Sequence, residues 1–546
     1  YFYFLYFLYF CYFCLRVSEI LFLIRRNLMY STIYTGGLHG MESYLARVEV
    51  DISRGLPGFE MVGLLGSEVK EARERIRVAL KNAEVTLPPV RITVNISPAS
   101  LHKEGTAYDL PVAAGILVAL GILPQEYVEN TLMAGELGLN GDIKPVRGIL
   151  PMVLEGKKQG MSRCIIPLEN TKEARLVEGI RITGAGNLAA LLDSLLQNEG
   201  KDGDETEPVC NGNSSAGKRP GLDFGEIRGQ ESAKRAAVVA AAGFHHLLMI
   251  GPPGTGKTMI ARSMSSILPP LSKEEQLEVT KVYSVAGMLE EGTGLITDRP
   301  FVNPHHTITG HALTGGGRIP RPGVISLAHR GILFLDELTE FRRETLDLLR
   351  QPMEEHRVQI ARSSGTFSYP ADFMLVAAIN PCPCGYYPDR NQCRCTPGEV
   401  QRYLSRISGP ILDRMDICTE VPRMEFAGLT GSGKKNGSDS RQLAAQVMEA
   451  RARQEERYKG MPIRFNSQLG AGDIRIFCRL GLSEQQYMER LFDTLGLSAR
   501  GYHRILRLAR TLADLDGEDQ IGKIHLSEAA CYRMAGGKYW RKSSEE

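Results

Sequence analysis

The chain has 546 residues, with 65 Lys and Arg against 63 Asp and Glu, so its formal net charge is +2. At roughly 100–200 residues per domain this length carries two to four cores, and 43% hydrophobic with 23% charged residues is ordinary for a globular chain. Global disorder, collagen, a polytopic membrane protein and a histone-like basic surface are excluded, and nucleic-acid binding has to come from local basic patches.

The amino end is lopsided. Of the 38 Tyr and Phe residues, ten lie in Tyr1–Phe13, inside an uncharged run that Arg16 ends. A bilayer span needs about 20 apolar residues. A signal peptide wants a basic start and a small-residue cleavage site. The run offers neither, so residues 1–28 are read as upstream translated sequence, with Met29 or Met41 as initiator, in preference to a membrane anchor. The 11 Cys, four of them crowded into Cys382–Cys395, do not form a secreted disulfide framework. A reducing cytoplasm is the expectation.

Residues 29–197 alternate strand-like and helix-like pieces: YLARVEVDI, SEVKEARERIRVALKNA, RITVNIS and DLPVAAGILVALGIL. That pattern predicts a mixed α/β or α+β layer structure. Residues 198–220 are polar, rich in Gly, Asp, Glu, Asn and Ser, and read as a linker. The third segment, 221–427, carries the strongest signal. Gly251, Pro252, Pro253, Gly254, Thr255, Gly256, Lys257 and Thr258 fit G-x-x-x-x-G-K-[ST], between a strand candidate HHLLMI and a helix candidate MIARSMSSIL. Glycines let the backbone wrap a phosphate, and the helix N-terminus aims N–H groups at it. Lys257 is placed to reach the β- and γ-phosphates and Thr258 to ligate Mg²⁺.

A buried parallel strand ending in acid is the expected partner. Ile332–Leu335 followed by Asp336 and Glu337 supplies it, with Asp336 on Mg²⁺ and Glu337 orienting the attacking water. Lys257 and Asp336 stand 79 residues apart, and the excess is Gly- and Pro-rich sequence between them. A third strand, Phe373–Ile379, ends at Asn380, which either positions the lytic water or simply forms a turn before Pro381. Cys382, Cys384, Cys393 and Cys395 form C-x-C…C-x-C. Four thiolates can close a tetrahedral Zn²⁺ site, although the pairs are tighter than the usual C-x₂-C; reduced or redox-reactive thiols are the other reading. His305 and His306 are a weaker metal candidate. Gly428–Lys435 imitates a second phosphate loop but lacks the final Ser/Thr and a preceding strand, so 428–440 reads as linker. Residues 441–546 show helical spacing of apolar residues.

These segments together resemble the AAA+ ATPases of the magnesium-chelatase-like branch, and more closely the YifB/competence protein ComM family. The residues that carry the resemblance include VEVDISRGLPGFEMVGL (48–64), RITVNISPASLHKEGTAYDLPVAAGIL (91–117), GELGLNGDIKPVRGILPM (135–152), NPHHTITGHALTGGG (303–317), AAINPCPCG (377–385) and SGPILDRMDI (408–417). The match runs from about residue 30 to 540. It implies an α/β AAA+ P-loop core with a helical lid, preceded by a Lon-protease-like (ribosomal S5-like) α+β domain. It further implies ATP and Mg²⁺, a homo-hexameric ring, and an ATP-driven motor on single-stranded or branched DNA. The alternative is a chelatase-like ATPase that remodels a protein partner. Arg414 matches the position of an arginine finger and Arg500 that of a lid sensor arginine, with Arg504 second. The Gly- and Pro-rich excess resembles the clade's helix insertion. Basic residues there and in His356–Ser368, among them Arg357 and Arg362, are pore-lining candidates or a solvated hairpin. Proteolytic relatives of the amino domain carry Ser and Lys where this chain has Ala107 and Leu150, so a domain without peptidase activity is expected.

Overall fold

The computed structural model describes residues 30–197, 222–289, 294–317, 319–362, 365–389, 391–423 and 439–540. The leader 1–28, the linker 198–220 and the loop-like Gly428–Lys435 lie outside them. The chain divides into two compact units, the first built on 30–197 with Thr280–Ile296 and Ala361–Phe367, the second on the remainder.

The first unit is built on a seven-stranded mixed sheet. In chain order its strands are β1 (Tyr30–His39), β2 (Glu42–Ser53), β3 (Gly58–Val62), β4 (Arg91–Ser97), β5 (Thr131–Met133), β6 (Arg163–Pro167) and β7 (Arg181–Ala185), arranged β3-β4-β2-β1-β5-β6-β7. β1 and β2 form a hairpin pairing Tyr30 with Asp51 through His39 with Glu42. Helices α1 (Ser67–Asn82), α2 (Asp109–Ala119), α3 (Ile149–Lys158) and α4 (Leu188–Gln197) accompany the sheet. α1 buries Val69, Ala72, Ile76, Ala79 and Leu80, a stripe at helical spacing. Every residue of α2 is buried, as its continuous apolar sequence requires. Each such Leu or Ile contributes about 2 kcal/mol of apolar burial. The one carboxylate in α2, Asp109, accepts from Arg75 Nε (2.8 Å), Arg75 Nη2 (3.0 Å) and the Leu137 amide (3.2 Å).

The second unit holds a five-stranded parallel sheet. Its strands are β8 (Leu247–Ile250), β9 (Phe301–Val302), β10 (Ile332–Leu335), β13 (Met374–Ile379) and β14 (Ile417–Glu420), in the order β9-β10-β13-β8-β14. The intervening β11 (Arg357–Arg362) and β12 (Gly365–Pro370) pair only with each other. All residues of β8, β10 and β13 are buried, the pattern of strands covered on both faces. Its helices include α5 (Glu231–Gly243), α6 (Lys257–Ile267), α7 (Ser440–Arg457), α8 (Leu482–Leu495), α9 (Ala499–Asp516) and α10 (Lys523–Trp540). One continuous core joins Leu247, Met249 and Val376 of the sheet to Val239, Val447, Leu506, Leu512 and Ala529 of these helices. The carboxyl-terminal helices therefore pack into the same core as the sheet. Among the described residues no helix is long and apolar enough to cross a membrane.

Candidate nucleotide site

The strand order decides what meets at the carboxyl edge of the second sheet. β13 lies between β8 and β10, so Asn380 emerges between the glycine loop and the acidic strand end. Ligands of open parallel sheets bind at such carboxyl ends. The Gly251 amide extends the ladder by donating to Ile379 O at 3.2 Å. A Cβ at Gly251 would collide with the Val421 carbonyl, so only glycine lets the loop leave the strand here. Gly254 (φ +75°) and Gly256 (φ +89°) then turn through left-handed conformations that favour glycine. Gly256 caps α6, whose first residue is Lys257.

Lys257 Nζ donates to Gly251 O (2.6 Å), Pro252 O (2.7 Å) and Asn380 Oδ1 (3.2 Å). Burial pushes its ammonium down from 10.5 to about 8, against the opposing pull of Asp336 and Glu337. Thr258 Oγ1 donates to Asp336 Oδ2 at 2.8 Å. The Glu337 amide donates to Asp336 Oδ1 at 3.0 Å, and Glu337 itself is exposed and left-handed (φ +50°). Lys257, Thr258, Asp336 and Asn380 are thus brought together, with Glu337 beside them. Thr255 is buried and its Oγ1 donates to Pro252 O. Sequence reasoning missed Gln230, whose Nε2 bonds Pro422 O (2.7 Å) and Thr255 O (3.5 Å) from a left-handed residue ahead of α5. Nothing in the spacing around Gln230 marks it.

The two predicted arginines lie elsewhere. His246, Phe373 and Asp416 precede the amino ends of β8, β13 and β14, and together with Arg414, Arg500, Arg504 and Arg507 they line a cavity of about 300 Å³. Its edge of the sheet is the one opposite Lys257. Arg414 pairs with Glu354 at 2.6 Å and donates to Pro410 O, while Arg500, 70% exposed, reaches the same Glu354 at 3.9 Å. Arg504 lies 3.7 Å from Asp416. Burial would raise the Asp416 carboxyl, yet the neighbouring His245 and Arg504 hold it well below the usual carboxylate range. Burial lowers His246 to about 4, so its imidazole is neutral near pH 7. Buried Nε of Arg414, Nη1 of Arg504 and Nε of Arg507 have no hydrogen-bond partner.

Comparison with known proteins fits this arrangement. The family model for magnesium chelatase subunit ChlI matches residues 223–429, that for subunit ChlI of Mg-chelatase matches 48–170, and that for the ChlI carboxyl-terminal region matches 437–533. Competence protein ComM of Haemophilus influenzae is 41% identical over 501 residues, covering 92% of this chain and 97% of the relative. The chain belongs to the ComM/YifB family of magnesium-chelatase-like AAA+ proteins. The YifB protein of Escherichia coli is 41% identical over 503 residues, with 92% and 97% covered. A magnesium-chelatase 38 kDa subunit of Cereibacter sphaeroides is 26% identical over 339 residues, 58% of this chain and 92% of the relative. Membership in this AAA+ family implies ATP and Mg²⁺ as ligands.

Elsewhere in the ComM/YifB chain, the four Sγ atoms of Cys382, Cys384, Cys393 and Cys395 lie within 4.8 Å of one another, the only metal-capable group of His, Cys, Asp or Glu among the described residues. The rings of His305 and His306 lie 4.1 Å apart and tilted by 34°, with His305 bonded to Thr307. Arg357 and Arg362 are exposed on β11, and Arg357 pairs with Glu355 at 3.3 Å. In the first unit Ala107 and Leu150 are buried and apolar.

Proposed function

We propose that this protein is an ATP-hydrolysing ring motor acting on DNA, of the branch-migration kind. The observation that carries the reading is the convergence of Lys257 with Asn380 and of Thr258 with Asp336 at one sheet edge. In it Lys257 binds the β- and γ-phosphates, exchanging its bonds to the loop carbonyls for phosphate oxygens. The Thr258 hydroxyl and Asp336 carboxylate are hard oxygen donors a hydrogen bond apart, a set that suits Mg²⁺. Bound there, the ion would neutralise charge developing on the phosphates. Glu337 and Asn380 orient the attacking water.

Arg414 and Arg500 sit at the amino edge of strands whose carboxyl edge carries Lys257. A four-residue strand is about 13 Å long, so neither arginine serves the phosphate site of its own subunit without a large rearrangement. Both instead reach the site of a neighbour, and repetition of that contact builds a ring, in our reading a hexamer. The gathering of Arg414, Arg500, Arg504 and Arg507 at one cavity supports this. The first unit acts in assembly or substrate engagement as a Lon-like domain that lacks peptidase chemistry, since neither Ala107 nor Leu150 supplies a nucleophile or base. Arg357 and Arg362, exposed on β11, contact the DNA backbone in this reading. The same reading puts the protein in the cytoplasm, with the ATP and DNA it acts on.

The deciding measurement is ATP hydrolysis with no DNA, with single-stranded DNA and with branched DNA, at low salt. Stimulation by DNA is expected. Hydrolysis without any DNA binding rejects the motor and favours the second reading, remodelling of a protein partner, which the likeness to the chelatase subunit supports.

A further inference from the structure

The cysteine loop carries information that the nucleotide chemistry does not use. Cys382 Sγ lies 3.3 Å from Cys384 Sγ and 3.8 Å from Cys393 Sγ, and Cys384 Sγ lies 3.6 Å from Cys393 Sγ. Disulfide sulfurs would be about 2.05 Å apart. Thiolates around one ion at a Zn–S distance of about 2.3 Å form a tetrahedron with edges of about 3.8 Å. These three edges, at 3.3, 3.6 and 3.8 Å, come within about 0.5 Å of that figure and lie far above a disulfide, and Cys395 Sγ lies within 4.8 Å of the other three. One member of each pair, Cys382 and Cys393, is buried, while Cys384 and Cys395 are partly exposed. The Tyr387 amide donates to Cys382 Sγ at 3.4 Å, a bond that favours a thiolate. Clustered sulfur selects a soft ion, so Zn²⁺ fits and Mg²⁺ or Ca²⁺ does not.

The same loop touches the glycine loop. Cys382 follows Asn380 by two residues. Gly385, between the two Cys pairs, is left-handed (φ +85°), and a Cβ there would stand 2.5 Å from Pro253 Cδ. The sulfur site is therefore tied at one end to the Asn380 strand and pressed at its tip against the phosphate loop.

We propose that Cys382, Cys384, Cys393 and Cys395 hold one Zn²⁺ as a closed tetrathiolate that braces the phosphate loop through the Gly385–Pro253 contact. Binding replaces the thiol protons with the ion and releases them to solvent, and no electron moves. All four ligand positions are filled by protein, so the ion is structural and leaves no open site for catalysis. The bracing half of this proposal rests on reading Gly251–Thr258 as the ATP site; the zinc half does not.

The test uses the full chain. Elemental analysis of protein purified without chelator is expected to give about one zinc per chain. Cobalt-loaded protein is expected to show thiolate-to-cobalt charge transfer and tetrahedral d–d bands. The double variant Cys384→Ser/Cys395→Ser is expected to lose the metal, with its fold checked by circular dichroism. Gly385→Ala should keep zinc and bind ATP several-fold more weakly. Wild-type protein with four freely titratable thiols and no zinc overturns the site, as does an octahedral cobalt spectrum. Unchanged ATP affinity in Gly385→Ala overturns the bracing alone. Wild-type protein that carries zinc but binds no ATP refutes the nucleotide reading and leaves the metal site standing.

Discussion

Raising the pH tests the phosphate loop without changing a residue. Lys257 Nζ gives its protons to two loop carbonyls and to Asn380, and burial brings its pKa down to about 8. The nucleotide wants the cation. Near pH 7 the free protein already carries it, so binding takes up almost no proton. Above about pH 8 the free protein holds neutral lysine, and a proton must be acquired with the ligand. Apparent affinity then falls tenfold per unit, so the dissociation constant at about pH 9 is about tenfold that at pH 7, or about 1.4 kcal/mol. The assay is the affinity of a non-hydrolysed ATP analogue with Mg²⁺ at constant ionic strength, from about pH 7 to 9.5. Lys257→Arg keeps its charge throughout and flattens the profile. Proton uptake by calorimetry in two buffers reports the same linkage in the wild type should that variant bind too weakly. A flat wild-type profile with no uptake refutes the argument.

Two further outcomes follow from the geometry. Lys257→Ala and Arg414→Ala subunits should each hydrolyse ATP poorly, the arginine loss alone costing about 10³-fold or more; mixing them should restore partial activity, because some interfaces then pair an intact lysine with an intact arginine, and no recovery on mixing would sink the shared site. Asp109→Ala should leave the Arg75 charge without its buried partner and lower unfolding free energy by about 3 kcal/mol, read as a lower denaturant midpoint; a change under about 0.5 kcal/mol would show that the pair adds nothing.

The site is legible in the sequence where its chemistry is local. Gly251–Thr258 declares itself because backbone wrapping, capping and the lysine all fall within eight residues. The helix over 67–83 and the strand 91–97 are foreseen because one periodicity holds throughout each, and the observed bounds differ by no more than one residue. What the sequence hides depends on strand order. That Asn380 stands between Lys257 and Asp336 follows from β13 inserting between β8 and β10, which no local pattern encodes. The arginine cavity gathers residues from the approach to three strands and from α9, so Arg507 reads only as a charge on a helix until the fold brings it to the cavity that Asp416 and Arg504 line. Gln230 is hidden for a similar reason: its partners lie 25 and 192 residues away. The Cys pattern shows four ligands in the sequence, but only the sulfur spacings separate a metal tetrahedron from a pair of disulfides.

The opposed edges of the second sheet have a consequence for counting. If each subunit offers a phosphate site at one end of its strands and an arginine cavity at the other, a head-to-tail row of n copies makes n − 1 complete sites and leaves two halves unmatched, whatever n is. Closing the row adds no new kind of contact, yet it completes the last site. The gain from closure is therefore the same for a short row and a long one, while its cost in misfit shrinks as curvature is shared among more joints. Ring size in such a protein is set by the angle between neighbours and not by the strength of their contact, so a substitution at the cavity rim can change the number of subunits while leaving every individual site intact.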